Sequence, residues 1–291
     1  YFGGNTPLFK VEEQASFFHK QCLAYRQDHI IYQVAPLLQV VYNLRGKGMQ
    51  SDDHSVLKGD AFDEDAVASL DLKTNFAEIA MIYGYRMILA YMFHDYMKAS
   101  ESADNSRNYL KKAAGFCETL WSRFYDVLVS CAVVRCRTSC KDPSFRKKKL
   151  ASAQELLTRY RLMAKEAPDN FENKLYLIEA EWAFTTTMGT KRNKNDSADR
   201  LRNEEAILDL YNNSIQRAET CKFLSEEALA CERAGIFCVE TGRVEMAAPF
   251  LKRACQVYLH WGAKAKVKQI EKLYEHLLCF DERLKKKRVC Y

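Results

Sequence analysis

Histidines next to acidic residues are the first groups in this chain that could do chemistry. Two of these pairs are Asp28-His29 and His94-Asp95. Such a histidine can serve as the general base of a nucleophilic pair, but only with a serine or cysteine held within hydrogen-bond distance. No serine or cysteine stands at a recognisable spacing from either pair. We therefore predict surface or helix-capping roles for both histidines.

Cysteine is the second chemically active residue type, with eleven copies. Cys136 and Cys140 are close in sequence, but neither a second pair nor a histidine follows at the spacing of a zinc site. A redox role for this pair would require a lowered thiol pKa. Most other cysteines stand among apolar residues at helical spacing, where a thiol behaves as a small hydrophobic group. Because the count is odd and no secretion signal is present, we expect reduced thiols in a cytoplasmic protein, without a bound metal.

Acidic and glycine-rich segments complete the search for a catalytic or binding motif. Asp60, Asp63 and Glu64 lack the D-x-D-x-D-G ladder of a calcium loop, and acids favour the start of a helix, which we predict at 61–70. The sequence Gly46-Lys47-Gly48 lacks the spacing of a phosphate-binding loop. No protein-kinase signature is present. The residues thus predict no catalytic site and no cofactor in this segment.

The net charge of +6 bears on nucleic-acid binding. Its excess lies at 146–149, 191–202 and 285–288, which are a helix start, a polar loop and the chain end. Such runs are typical of solvated surface, so we expect no nucleic-acid partner. An RNA-binding helical repeat remains an alternative of another class, and it predicts strongly salt-dependent binding of RNA.

The elements that would have to position any site are helices. The chain is 48% hydrophobic with only five prolines, and apolar residues recur at helical spacing without period-two alternation. No apolar run is long enough to span a bilayer, so we expect no membrane insertion. In the first half, helices are predicted at 8–26, 29–45, 61–70, 74–97, 104–119 and 122–137, with loops at 45–60 and 188–201. Pro36 and Pro249 are expected to bend or delay their helices.

A paired-helix pattern is clearest between residues 226 and 278. A tetratricopeptide unit consists of two antiparallel helices with small residues where they cross, because larger side chains would push the helices apart. Residues 226–260 fit this template, and 171–187 with 204–218 fit it more loosely. The predicted helix-packing residues are Gly235, Gly242, Ala247, Leu251, Ala254, Trp261 and Gly262. The predicted fold is all-α, an antiparallel array of helical hairpins in a tetratricopeptide-like superhelix of about a dozen helices.

Three motifs resemble one helical region of large signalling proteins. They are HWGAKAKV at 260–267, NFENK at 170–174 running into IEAE at 178–181, and GDAFDE at 59–64. In these proteins a serine/threonine kinase-like domain and a STAND-class AAA ATPase precede the tetratricopeptide-like region. A GAF sensor with a histidine kinase or a nucleotide cyclase often follows it. The resemblance covers most of 55–280, while the loop at 188–201 is longer than the turn usual in the family.

The resemblance implies a regulatory, protein-interacting connector between an ATPase switch and an output domain. On this view 1–54 are the first helices of the array, 55–280 are the tetratricopeptide-like region, and 281–291 begin a linker. The segment itself would not be an enzyme, whereas the parent would be a kinase–ATPase signalling enzyme that could oligomerise. The alternative is a freestanding tetratricopeptide-like adaptor that binds a partner peptide in its concave groove. The full open reading frame distinguishes the two.

Overall fold

Every regular element of the computed structural model is helical. The structure describes residues 6–65, 75–113, 119–136, 142–188 and 197–278, and within them it contains eleven α-helices and no β-strand. The predicted all-α class is therefore confirmed. The helices are α1 (Leu8–Ala24), α2 (Asp28–Arg45), α3 (Phe76–Met92), α4 (Tyr96–Leu110), α5 (Thr119–Arg135), α6 (Pro143–Glu166), α7 (Pro168–Met188), α8 (Ser197–Thr220), α9 (Leu224–Thr241), α10 (Val244–Trp261) and α11 (Lys264–Leu273).

The chain divides into two compact units, and the division falls inside α6. One unit is Pro7–Leu156, and the other is Leu157–Tyr291 together with Tyr1–Thr6. The predicted linker at 281–291 lies outside the described residues.

In the unit Pro7–Leu156, consecutive helices pack as pairs, α1 with α2 and α3 with α4, and α5 packs on both α3 and α4. Helix α3 is buried on nearly all sides, as its apolar sequence predicts. The single helix predicted at 74–97 is wrong, because the chain turns at 93–95. His94 adopts a left-handed φ of 69°, and the Asp95 side chain accepts a hydrogen bond from the Lys98 backbone N–H, which starts α4.

An ordered loop joins α2 to α3 and is held by two buried amides of α2. The Gln39 Nε2 donates to the Gly48 carbonyl, and its Oε1 accepts from the Ala61 and Phe62 N–H groups. The Asn43 Nδ2 donates to the carbonyls of His54 and Val56. Residues 61–65 belong to this loop rather than to the helix predicted at 61–70, because their N–H groups bond to Gln39 and to neighbouring carboxylates; residues 66–70 lie outside the described part.

In the unit that follows Leu156, the strongest helix contacts are α7 with α8, α8 with α9, and α9 with α10. Turns of two or three residues join α8 to α9, α9 to α10 and α10 to α11, and the two helices of each pair pack on each other. The structure continues helix through Met188 and restarts at Ser197, so both ends of the loop predicted at 188–201 are helical. Residues 189–196 lie outside the described part. Helix α10 begins at Val244 and continues through Pro249, and α2 likewise continues through Pro36.

Candidate functional site

The predicted packing residues of α9 and α10 meet where these two helices touch. A Cβ added to Gly235 would lie 2.7 Å from the Leu251 Cγ and 3.5 Å from the Ala247 carbonyl oxygen. Leu251, Ala247 and Ala254 are fully buried. The α9 backbone therefore lies directly against the Leu251 side chain, and only glycine at position 235 leaves room for it.

Two predicted glycines form turns, and one of them differs from its predicted role. Gly242 ends α9 with a left-handed φ of 83°, and an added Cβ would meet nothing within 4 Å, so it terminates the helix without packing. Gly262 ends α10 at φ 102°, and its N–H bonds to the Tyr258 carbonyl. Trp261, just before this turn, is buried beside the Tyr258 ring.

Charged side chains lie in the protein interior between α7, α8 and α9, where apolar groups are usual. The Glu181 carboxylate of α7 accepts bonds from the Arg233 Nε of α9 at 2.8 Å and from its Nη2 at 3.2 Å. The Tyr211 hydroxyl of α8 donates to the same carboxylate at 2.8 Å. Glu181 and Tyr211 are fully buried, and the Arg233 side chain is 3% exposed. Three helices thus share one desolvated ion pair.

A second buried ion pair is formed by Glu232, which directly precedes Arg233 in α9. The Glu232 Oε1 lies 2.6 Å from the Lys266 Nζ of α11, and its Oε2 accepts a 2.8 Å bond from the Tyr258 hydroxyl of α10. Lys266 also donates to the Gln269 Oε1 at 2.7 Å. We call these six residues the buried network; they are Glu181, Tyr211, Arg233, Glu232, Tyr258 and Lys266. The network joins α7, α8, α9, α10 and α11.

The electrostatics of the buried network favour holding the helices together. Burial lowers the pKa of Lys266 from its ordinary value, while Glu232 opposes the shift by favouring the charged ammonium. Two acids and two bases cancel in charge, and all of them are buried. Removing one partner of a buried ion pair lowers the unfolding free energy by roughly 3–5 kcal/mol, because the other charge stays desolvated. Moving one helix away from α9 therefore carries a large penalty.

The buried network is not among the sites predicted from the sequence. Its members look like surface charges, since Glu232 and Arg233 are adjacent and Lys266 belongs to a lysine-rich stretch. One available signal was position. Glu232 and Arg233 interrupt an apolar run in α9, and Lys266 shares the apolar side of α11 with Val267 and Ile270. A charge on the apolar stripe of a helix requires a partner from another helix.

A separate group of buried charges lies between α4, α5 and α6. Asp126 is 3% exposed, and its Oδ2 lies 3.0 Å from the Arg107 Nε. The Lys149 Nζ lies 2.8 Å from Asp104, which also pairs with Arg107. Burial raises the pKa of Asp126 to about 6, against the opposing effects of Arg107 and Lys149. A carboxyl with a raised pKa can mark a functional site, and this one is buried and paired with Arg107.

The histidines and cysteines considered in the sequence have the following surroundings. The His29 Nδ1 lies 3.3 Å from the Glu78 Oε1 with its side chain largely exposed, and Asp95 caps α4. Burial raises the pKa of Cys231 to about 12 and that of Cys238 to about 11, which disfavours reactive thiolates. Cys140 lies outside the described residues.

The described residues contain no group of three or more histidine, cysteine, aspartate or glutamate side chains that could bind a metal ion. Within the same part of the chain, no helix combines the length and apolar character needed to cross a membrane.

Comparison with protein-family models, with curated proteins and with solved structures gives no match for this chain.

Proposed function

We propose that this chain is a non-catalytic regulatory and protein-interaction connector in a cytoplasmic kinase–AAA ATPase signalling protein. In that role it couples the ATPase switch to an output domain. The observation that carries the proposal is the buried network, which joins α7, α9 and α11 through desolvated ion pairs and adds α8 and α10 through tyrosine hydroxyls. A connector needs such coupling, because a displacement at one end must reach the other end without being absorbed between helices.

The resemblance at 260–267 supports the same proposal from the sequence side. Lys266 belongs to that motif and is also a member of the buried network. The motif thus includes the turn at Gly262, the buried Trp261 and the ion pair that attaches α11 to α9. A fixed attachment of the last helices is what a following output domain would require.

The test uses the full-length parent and follows its output activity with and without nucleotide. Lys266→Met removes the partner of Glu232, whereas Lys264→Met changes an exposed lysine of the same motif and is the matched control. We expect the first variant to lose nucleotide dependence while still binding nucleotide, and the second to behave as wild type. Circular dichroism checks that both variants remain helical.

Two results would overturn the proposal. One is unchanged output and nucleotide dependence after deletion of 55–280. The other is an open reading frame that starts and stops close to this segment and encodes no phosphate-binding loop upstream. The second result would support the freestanding adaptor instead, and peptide binding in its concave groove would then be measured.

A further inference from the structure

Arg86 of α3 and Lys98 of α4 lie near the same carboxylate, that of Glu64, but neither is within hydrogen-bond distance of it. The Glu64 Oε1 lies 3.8 Å from the Arg86 Nε and 3.7 Å from the Lys98 Nζ. Both distances exceed a hydrogen bond. The Arg86 Nε is buried and has no hydrogen-bond partner among the described residues. A buried donor on a charged group that remains unpaired is costly, so this position favours an additional acceptor.

A second trio of the same residue types forms contacts at hydrogen-bond distance. Arg45 and Lys47 both pair with Glu12; the Lys47 Nζ lies 2.6 Å from its Oε1, and Arg45 bonds to its Oε2. Glu12 is therefore shared at hydrogen-bond distance, while Glu64 is not.

The ordered loop between α2 and α3 explains why the Glu64 carboxylate stays beyond hydrogen-bond distance of Arg86 and Lys98. Its Oε2 accepts the Leu57 N–H at 3.0 Å, and its own N–H donates to the Leu57 carbonyl at 2.7 Å. The loop is fixed in turn by Gln39. Glu64 is thus held at a set distance, and Arg86 and Lys98 stay partly buried, with side chains 24% and 15% exposed.

We propose that Arg86 and Lys98 form a binding site for a phosphate group. A phosphate presents several acceptor oxygens in a tetrahedral arrangement, so it can bond the guanidinium and the ammonium at once. Glu64 sets one edge of the site and limits its affinity by repulsion. Glu101 of α4 is a further acid, and it acts together with Glu64 and Arg86 on the pKa of Tyr83. The site is independent of the connector function.

The test is a titration of the whole chain with inorganic phosphate at about pH 7.5, where phosphate is largely dianionic. Sodium chloride at matched ionic strength is the reference. The side-chain Nε–H resonance of Arg86 is followed by NMR. We expect a saturable shift with phosphate and none with chloride. Methyl phosphate as a second titrant distinguishes an esterified from a free phosphate, and saturable binding of either supports the site.

Three variants separate a site from general charge screening. Arg86→Gln should weaken phosphate binding about tenfold, the effect of losing one charge-assisted bond. Glu64→Gln keeps the acceptor for Leu57 but removes the repulsion, so binding should tighten by roughly threefold or more. Arg45→Gln, in the closed trio, should leave the affinity unchanged. A shift that does not saturate, or one that Arg86→Gln and Arg45→Gln alter equally, would overturn the proposal.

Discussion

Removal of Arg233 tests directly whether the buried network couples the helices. Arg233→Met deprives the Glu181 carboxylate of bonds at 2.8 and 3.2 Å and leaves its charge in the interior. Loss of one partner of a buried pair costs roughly 3–5 kcal/mol of unfolding free energy. Glu181→Met should cost a similar amount for the same reason. Against a total stability of roughly 5–15 kcal/mol, either loss is easily measured.

The double variant Glu181→Met/Arg233→Met gives the decisive value. With both charges gone, the main remaining penalty is the Tyr211 hydroxyl, which loses its acceptor at a cost of roughly 1–3 kcal/mol. The two single losses therefore should not add, and the coupling energy should be about 3 kcal/mol or more. The matched control is the Arg161–Glu179 pair, which is also 2.8 Å long but has side chains 51% and 23% exposed. Its coupling energy should stay below about 1 kcal/mol.

Urea unfolding followed by tryptophan fluorescence measures these free energies. In a Trp121→Phe background the remaining tryptophans, Trp182 and Trp261, both belong to the unit that follows Leu156. The signal then reports only on the unit that contains the buried network. If the double variant loses as much stability as the two single variants together, the pair is not coupled and the connector argument fails.

Three further changes probe other parts of the chain. Gly235→Ala should lower the unfolding free energy by about 1 kcal/mol, since overpacking against Leu251 outweighs the helix-propensity gain, and net stabilisation in urea unfolding would contradict this. Burial raises the pKa of Asp126 from its ordinary value of 3.8 to about 6 in the folded state, so its contribution to stability is full below about pH 4 and is lost as pH rises through about 6. The stability of wild type relative to Asp126→Asn should thus fall by roughly 3 kcal/mol between about pH 4 and pH 7, and an unchanged difference would refute the burial argument. Asn43→Leu should speed amide exchange in the loop 46–65 while α9 stays protected, because two carbonyl acceptors lose their donor; equal exchange in wild type and variant would contradict this.

The all-α class and the helical pairing of α9 with α10 were predictable because their signals are local. Apolar spacing indicates a helix within a few turns, and a glycine after the last apolar position ends it, as at Gly242. The same locality explains the errors. The apolar pattern of 74–97 gives no sign of the left-handed backbone at His94. The turn at this residue is set by the packing of α4 back on α3.

The sequence by itself determined the all-helical class and the glycine, Gly235, at which two helices approach each other closely. Only the tertiary structure decided which charges are interior. Glu181 and Arg233 are 52 residues apart, and nothing in either helix alone indicates that they meet. Likewise, Glu12 and Glu64 each stand beside an arginine and a lysine, yet one trio closes and the other stays open. Burial and distance depend on how whole helices and loops are fixed against each other, which is why packing, and not residue type, separates a buried network from surface charge.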